Sequence, residues 1–132
     1  IMNRYTLILT FLLSLMFSSP SYSEWTKIGN SVDGDAYYVD FERIRKVDGY
    51  VYWWDLMDYL KPTELVYLSG KAYKQGDCKL FRFKGLSYSF HKEPMGRGTG
   101  HIVTPKNPEW EYPPPNSISE GVFKSVCNHI GE

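Results

Sequence analysis

The chain has 132 residues, with 15 Lys+Arg against 15 Asp+Glu and a formal net charge of +0. That length suits one small domain, and the charge balance excludes the concentrated positive field that nucleic acid binding needs. Four Trp, eleven Tyr and seven Phe supply ring surface for a core and for a binding face besides.

Residues 1–23 read as a secretory signal peptide. Asn3-Arg4 give a charged start, residues 6–17 an apolar run, and Ser18 to Ser23 a polar exit ending in small residues. The run is too short for a bilayer, which takes about 20 residues. Cleavage is expected between Ser23 and Glu24. That leaves residues 24–132 as one exported domain without a membrane span.

Cys78 and Cys127 are the only two cysteines, and two cysteines in an exported chain most often pair. A catalytic thiol and a metal site are the alternatives. Neither has local support, because there is no Cys-x-x-Cys and no histidine in ligand spacing with either cysteine.

In chain order, residues 25–28 form a first short strand, and Asp33-Gly34-Asp35 turns into a second at residues 36–40. A polar connection over residues 41–46 leads to Val47-Asp48-Gly49, a hairpin signal. Residues 50–60 (YVYWWDLMDYL) make the longest apolar strand. Both of its faces are largely apolar, as expected of a central strand covered on both sides. Lys61-Pro62 ends it. Residues 65–75 form the next strand, with Gly76-Asp77 as the turn into Cys78. Phe81 and Phe83 share one face of the strand after it. Beyond Gly85 the apolar parity flips to Leu86, Tyr88 and Phe90, which places a bulge at the glycine.

Residues 93–115 hold Gly96, Gly98, Gly100 and six prolines, and read as one long loop with a short edge strand at Trp110-Glu111-Tyr112. A loop of that length in a compact domain is usually functional. Ser117-x-x-Glu120 is a capping box that starts a helix. Ile118, Val122, Val126 and Ile130, flanked by Phe123 and Cys127, fall on one face of it. Cys127 therefore points with the core stripe, and a helix stapled to a sheet is the expected arrangement.

The motifs together resemble the bacterial surface-adhesin E family. They are Tyr37-Tyr38-Val39-Asp40 with Ile44, Leu56-Met57-Asp58-Tyr59 with Lys61-Pro62, and Asp77-Cys78. They continue through Met95-Gly96-Arg97-Gly98-Thr99-Gly100, Pro114-Pro115-Asn116-Ser117 and Val126-Cys127. The resemblance implies an α+β fold: a single antiparallel sheet, about six strands here, with the C-terminal helix held on one face by the Cys78–Cys127 bridge. It also implies an exported protein of a Gram-negative bacterium, in the periplasm or at the cell surface, and a homodimer. Its implied partners are matrix glycoproteins or envelope proteins.

Little in the sequence points to catalysis. Ser87 and Ser89 lack a nucleophile-elbow context, and Gly96-x-Gly98-x-Gly100 lacks the helix and Lys-Ser/Thr of a phosphate loop. His91 and His101 flank the glycine-rich turn and, with Glu93, are the one combination that would suit a metal-dependent enzyme. An inhibitor or accessory protein of the envelope is the other alternative. The expectation is a non-enzymatic binding protein without cofactor or metal. Its candidate surface is Tyr52, Trp54, Tyr88, His91, Arg97, His101 and Trp110.

Overall fold

The computed structural model describes residues 24–131; the expected signal segment lies outside the described residues. Among the described residues, seven strands and one helix follow each other. They are β1 (Thr26–Asn30), β2 (Ala36–Val39), β3 (Arg45–Val47), β4 (Tyr50–Asp58), β5 (Ser69–Asp77), β6 (Arg82–His91), β7 (Gly100–Val103) and α1 (Ile118–His129). All pairings are antiparallel, in the order β1-β2-β4-β5-β6-β7.

β2 and β3 share one edge of β4. β2 pairs with residues 55–58 and β3 with residues 50–52. Between them a 3-10 turn at Phe41–Arg43 lifts the chain off the edge and returns it.

Helix α1 covers one face of the sheet. Val39, Val51, Trp53 and Phe83 meet Val122, Phe123, Val126 and Cys127 in one buried cluster. Phe123 is its centre: the ring is fully buried, stacks on Trp53 at 5.3 Å, and touches Phe81 and Phe83 at 4.8 and 5.7 Å. Burying such a ring stabilises the fold by roughly 1.5–3 kcal/mol. Gly76 makes the contact possible. A Cβ there would stand 2.5 Å from Phe123 Cε2 and 2.8 Å from Trp53 Cζ3.

The helix is tied down twice more. Its first turn is capped by Ser117, whose Oγ accepts the Glu120 N–H at 3.1 Å. The Glu120 carboxylate reaches the N–H of Asn116 at 3.3 Å, one residue earlier than a standard capping box requires. Near the other end, Cys127 is bonded to Cys78 in the β5–β6 turn.

Several expected boundaries shift. The fifth strand begins at Ser69, not at residue 65, because Val66 adopts a positive φ of 64° in a turn closed by its N–H on Thr63 O. Gly76-Asp77 belongs to that strand, and the turn falls on Cys78 to Phe81. The polar connection after residue 40 includes strand β3. The long loop of residues 93–115 contains the edge strand β7, while Trp110-Glu111-Tyr112 contributes only the Phe83–Glu111 bridge. The bulge sits beside Gly85: Lys74 pairs with Gly85 and Tyr73 with Ser87, leaving Leu86 as the extra residue. Gly85 accommodates the Tyr88 hydroxyl where a Cβ would stand.

Candidate functional site

Side chains alternate across a strand, and directly paired residues share a face. Trp53, Gly76 and Phe83 face α1, so their neighbours in sequence face the other way. The register then assembles the open face row by row. Arg45, Tyr52, Gln75 and Lys84 form one row, and Trp54, Tyr73 and Ser87 the next. Leu56, Lys71, Ser89 and Ile102 follow, then Asp58, Ser69, His91 and Gly100.

The aromatic members of this face hold one another. Tyr73 stacks with Tyr52 at 6.2 Å and packs on Trp54 at 4.9 Å. Arg45 Nη2 donates to the Tyr73 hydroxyl at 3.0 Å. At one end Trp110 stacks on Tyr50 at 5.7 Å, with the Arg82 guanidinium and the Lys84 ammonium each 4.4 Å from its ring centroid. Cation–π contacts of this kind fix both partners.

At the other end the last row anchors the glycine-rich turn. Asp58 Oδ1 accepts the Met95 N–H at 2.9 Å. Ser69 Oγ donates to Glu93 O at 2.6 Å and accepts the Gly96 N–H at 2.8 Å. His91 Nδ1 lies 3.2 Å from Gly98 O, and its Nε2 lies 2.8 Å from Ser89 Oγ. Because a carbonyl only accepts, the neutral ring carries its proton on Nδ1, and Nε2 takes the Ser89 hydroxyl. Burial lowers the His91 pKa from its usual value; the Gly98 carbonyl opposes this, and the Lys71 charge adds to it.

Between these ends the face dips. A groove of about 280 Å³ is lined by Trp54, Lys71, Ser87, Ser89, His91, Gly100 and Ile102. A smaller hollow of about 120 Å³ adjoins it, sharing Trp54 and Lys71 and adding Trp25, Asp40 and Arg43. Asp40 is buried there, with Arg43 Nε 3.4 Å from its carboxylate.

The structure brings together Tyr52, Trp54, His91 and Trp110 of the expected surface. It sends Tyr88 to the α1 face, where it lines a hollow with Tyr37, Met57 and Tyr59. His101 pairs with Phe90, one residue out of step with His91, so the two imidazoles lie on opposite faces and do not converge on a shared ion. Arg97 is exposed on the glycine-rich turn. Arg45, Lys71, Tyr73 and Lys84 were not singled out from the sequence as surface residues, and Ser87 and Ser89 were weighed there only as nucleophiles. The period-two row Lys71, Tyr73, Gln75 was their only local signal. Asp55, on the α1 face, is satisfied by Trp53 Nε1 at 3.0 Å and Lys74 Nζ at 3.1 Å, which accounts for its burial.

The described chain is thus an antiparallel sheet with one disulfide-anchored helix on one face and packed aromatic side chains on the other. The family model for surface-adhesin protein E matches residues 25–128, and the chain belongs to that family. Solved structures agree in fold. The structure of Haemophilus influenzae protein E aligns with a TM-score of 0.64 at 18% identity, covering 85% of this chain and 89% of that one. Its crystal form II gives 0.62 at 18% identity, covering 86% and 94%. Protein E from non-typeable Haemophilus influenzae gives 0.60 at 17% identity, covering 83% and 79%. No curated protein sequence matches the chain.

Proposed function

We propose that the chain is an exported, non-enzymatic binding protein that attaches to extracellular glycoproteins or to envelope proteins through its open sheet face. Family membership supports adhesion as the general role. One observation carries the assignment to this face: Tyr52, Trp54 and Tyr73 are partly exposed rings packed against one another on the side of the sheet away from α1. Rings already held in place lose little freedom on binding, which is why such rows make effective contact surfaces.

The test is capture of matrix glycoproteins and envelope proteins on the immobilised domain. Tyr52→Ala is expected to reduce capture, and Lys124→Ala, on the helix side, to leave it unchanged. Equal capture by both variants would move the binding surface elsewhere. Protease shaving of intact cells separates the two partner sets, since only a surface-exposed domain is cleaved.

A further inference from the structure

Building on the reading of the open face as a binding surface, we infer that what it recognises is an acidic glycan. The ligand is a linear polysaccharide bearing carboxylate or sulfate groups, with one acidic sugar seated in the groove between Trp54 and His91.

Charge is balanced over the chain but not over this face. The open face carries Arg45, Lys71 and Lys84 in its central rows and Arg82 in the end row. Its carboxylates are already engaged: Asp58 accepts the Met95 N–H, and Asp77 pairs with Arg82 at 3.2 Å. Asp40 is the exception: it lies buried at the adjoining hollow with Arg43 Nε 3.4 Å away and neither carboxylate oxygen hydrogen-bonded, so Arg43 answers its charge while Lys71 lines both that hollow and the groove. Among the described residues, Arg45, Lys71 and Lys84 have no carboxylate within ion-pair distance. Lys71 and Lys84 are also half-buried. A partly desolvated cation without a counter-ion gains more from an arriving anion than an exposed one does.

The groove supplies the other requirements of an acidic sugar. Trp54 offers a flat ring for the C–H face of a pyranose. Ser87 and Ser89 line the opposite wall. The Ser89 hydroxyl donates to His91, which leaves its oxygen to accept a sugar hydroxyl. Lys71 stands in the same groove for the carboxylate or sulfate. At about 280 Å³ the groove approaches the lower end of small-ligand pockets, roughly 300 Å³, and suits a single ring. The cations then continue along β5 and β6. Lys84 lies in the row of Gln75, four residues from Lys71, or about 13 Å at strand spacing. Trp110 caps that end. A repeated acidic chain meets all of these cations, which a single terminal sugar cannot.

Heparin is the probe, with desulfated, carboxyl-reduced heparin and polyphosphate as comparators, read by tryptophan fluorescence and titration calorimetry on the oxidised domain. Saturable heparin binding is expected, weakened about tenfold by Lys71→Gln, the loss of one charge-assisted hydrogen bond. Lys84→Gln and Arg45→Gln should weaken it too, and Lys124→Gln should not. If Lys71→Gln does not fold, the more accessible Arg45→Gln carries the same comparison. Absence of heparin binding, equal binding of polyphosphate, or equal loss in Lys124→Gln would overturn the inference. Capture of deglycosylated partners that still depends on Tyr52, without heparin binding, overturns the glycan and leaves the face as the binding surface. Loss of both removes both readings.

Discussion

Replacing Cys78 and Cys127 together by alanine tests how the helix is held. The bridge joins residues separated by 49 positions. In the chain-entropy description, closing a loop of that length removes about 4 kcal/mol of freedom from the unfolded chain. The native state should change little, because Phe123 remains stacked on Trp53 and enclosed by Phe81 and Phe83. Unfolding entropy of about 2.1 cal/mol/K per residue gives roughly 0.23 kcal/mol/K for this domain, so the melting temperature should fall by about 17 °C. Differential scanning calorimetry measures the drop, and near-ultraviolet dichroism of the Trp53 environment should persist below the transition. A drop of under about 5 °C would contradict the loop-entropy account. Separate melting of α1, with the sheet still protected in hydrogen exchange, would show that the bridge and not the ring stack holds the helix.

Gly76→Ala should cost about 1–3 kcal/mol in urea unfolding, since its Cβ would enter the space of Phe123 and Trp53; unchanged stability would mean that the rings yield. Ser117→Ala should cost about 1 kcal/mol and speed amide exchange in the first turn of α1; an unchanged rate would assign the cap elsewhere. His91 gives a pH dependence. Its pKa is lower in the fold than in the unfolded chain, so the unfolded chain takes up the proton first as pH falls. The stabilisation is therefore complete above about pH 6.5 and is lost as pH drops below it towards the folded value. Urea midpoints should decline across that window, and less so in His91→Gln. A flat profile for the wild-type chain would remove His91 as the titrating group.

What could be read from the sequence depended on whether an element buries one face. α1 was readable because its apolar stripe repeats at helical spacing and Ser117 marks its start. β4 was readable from its length and ring content. β3 and β7 were not, because all residues of both are exposed and leave no periodic trace. Leu65 and Val66 were drawn into a strand by their chemistry, yet both are exposed in the loop before it. Gly76 was read as the turn after β5, and Gly70 left no signal of its own. In the fold they make room for Tyr59 and Phe90 and for Phe123. The candidate surface was half readable for a related reason. Large rings announce themselves singly, but the company of Arg45, Lys71 and Lys84 depends on register and on the bulge at Leu86, which need both partner strands.

The same strand explains why the two faces have different fates. Towards α1, β5 presents Gly70, Ala72 and Gly76, with Lys74 drawn aside to Asp55 and over the Phe83 ring. Towards the open side it presents Lys71, Tyr73 and Gln75. Small residues let the Phe123 ring reach the sheet, whereas the open side carries rings packed on one another and the Lys71 ammonium. Helix, bridge and glycines thus make the sheet rigid from one side, and the 93–98 turn is fastened at its end by Asp58, Ser69 and His91. On the proposed reading, the open face needs no ordering of its own before it meets a ligand. Affinity is then set by the groups standing on it, and the most informative substitutions are charge-removing ones that leave the ring row intact.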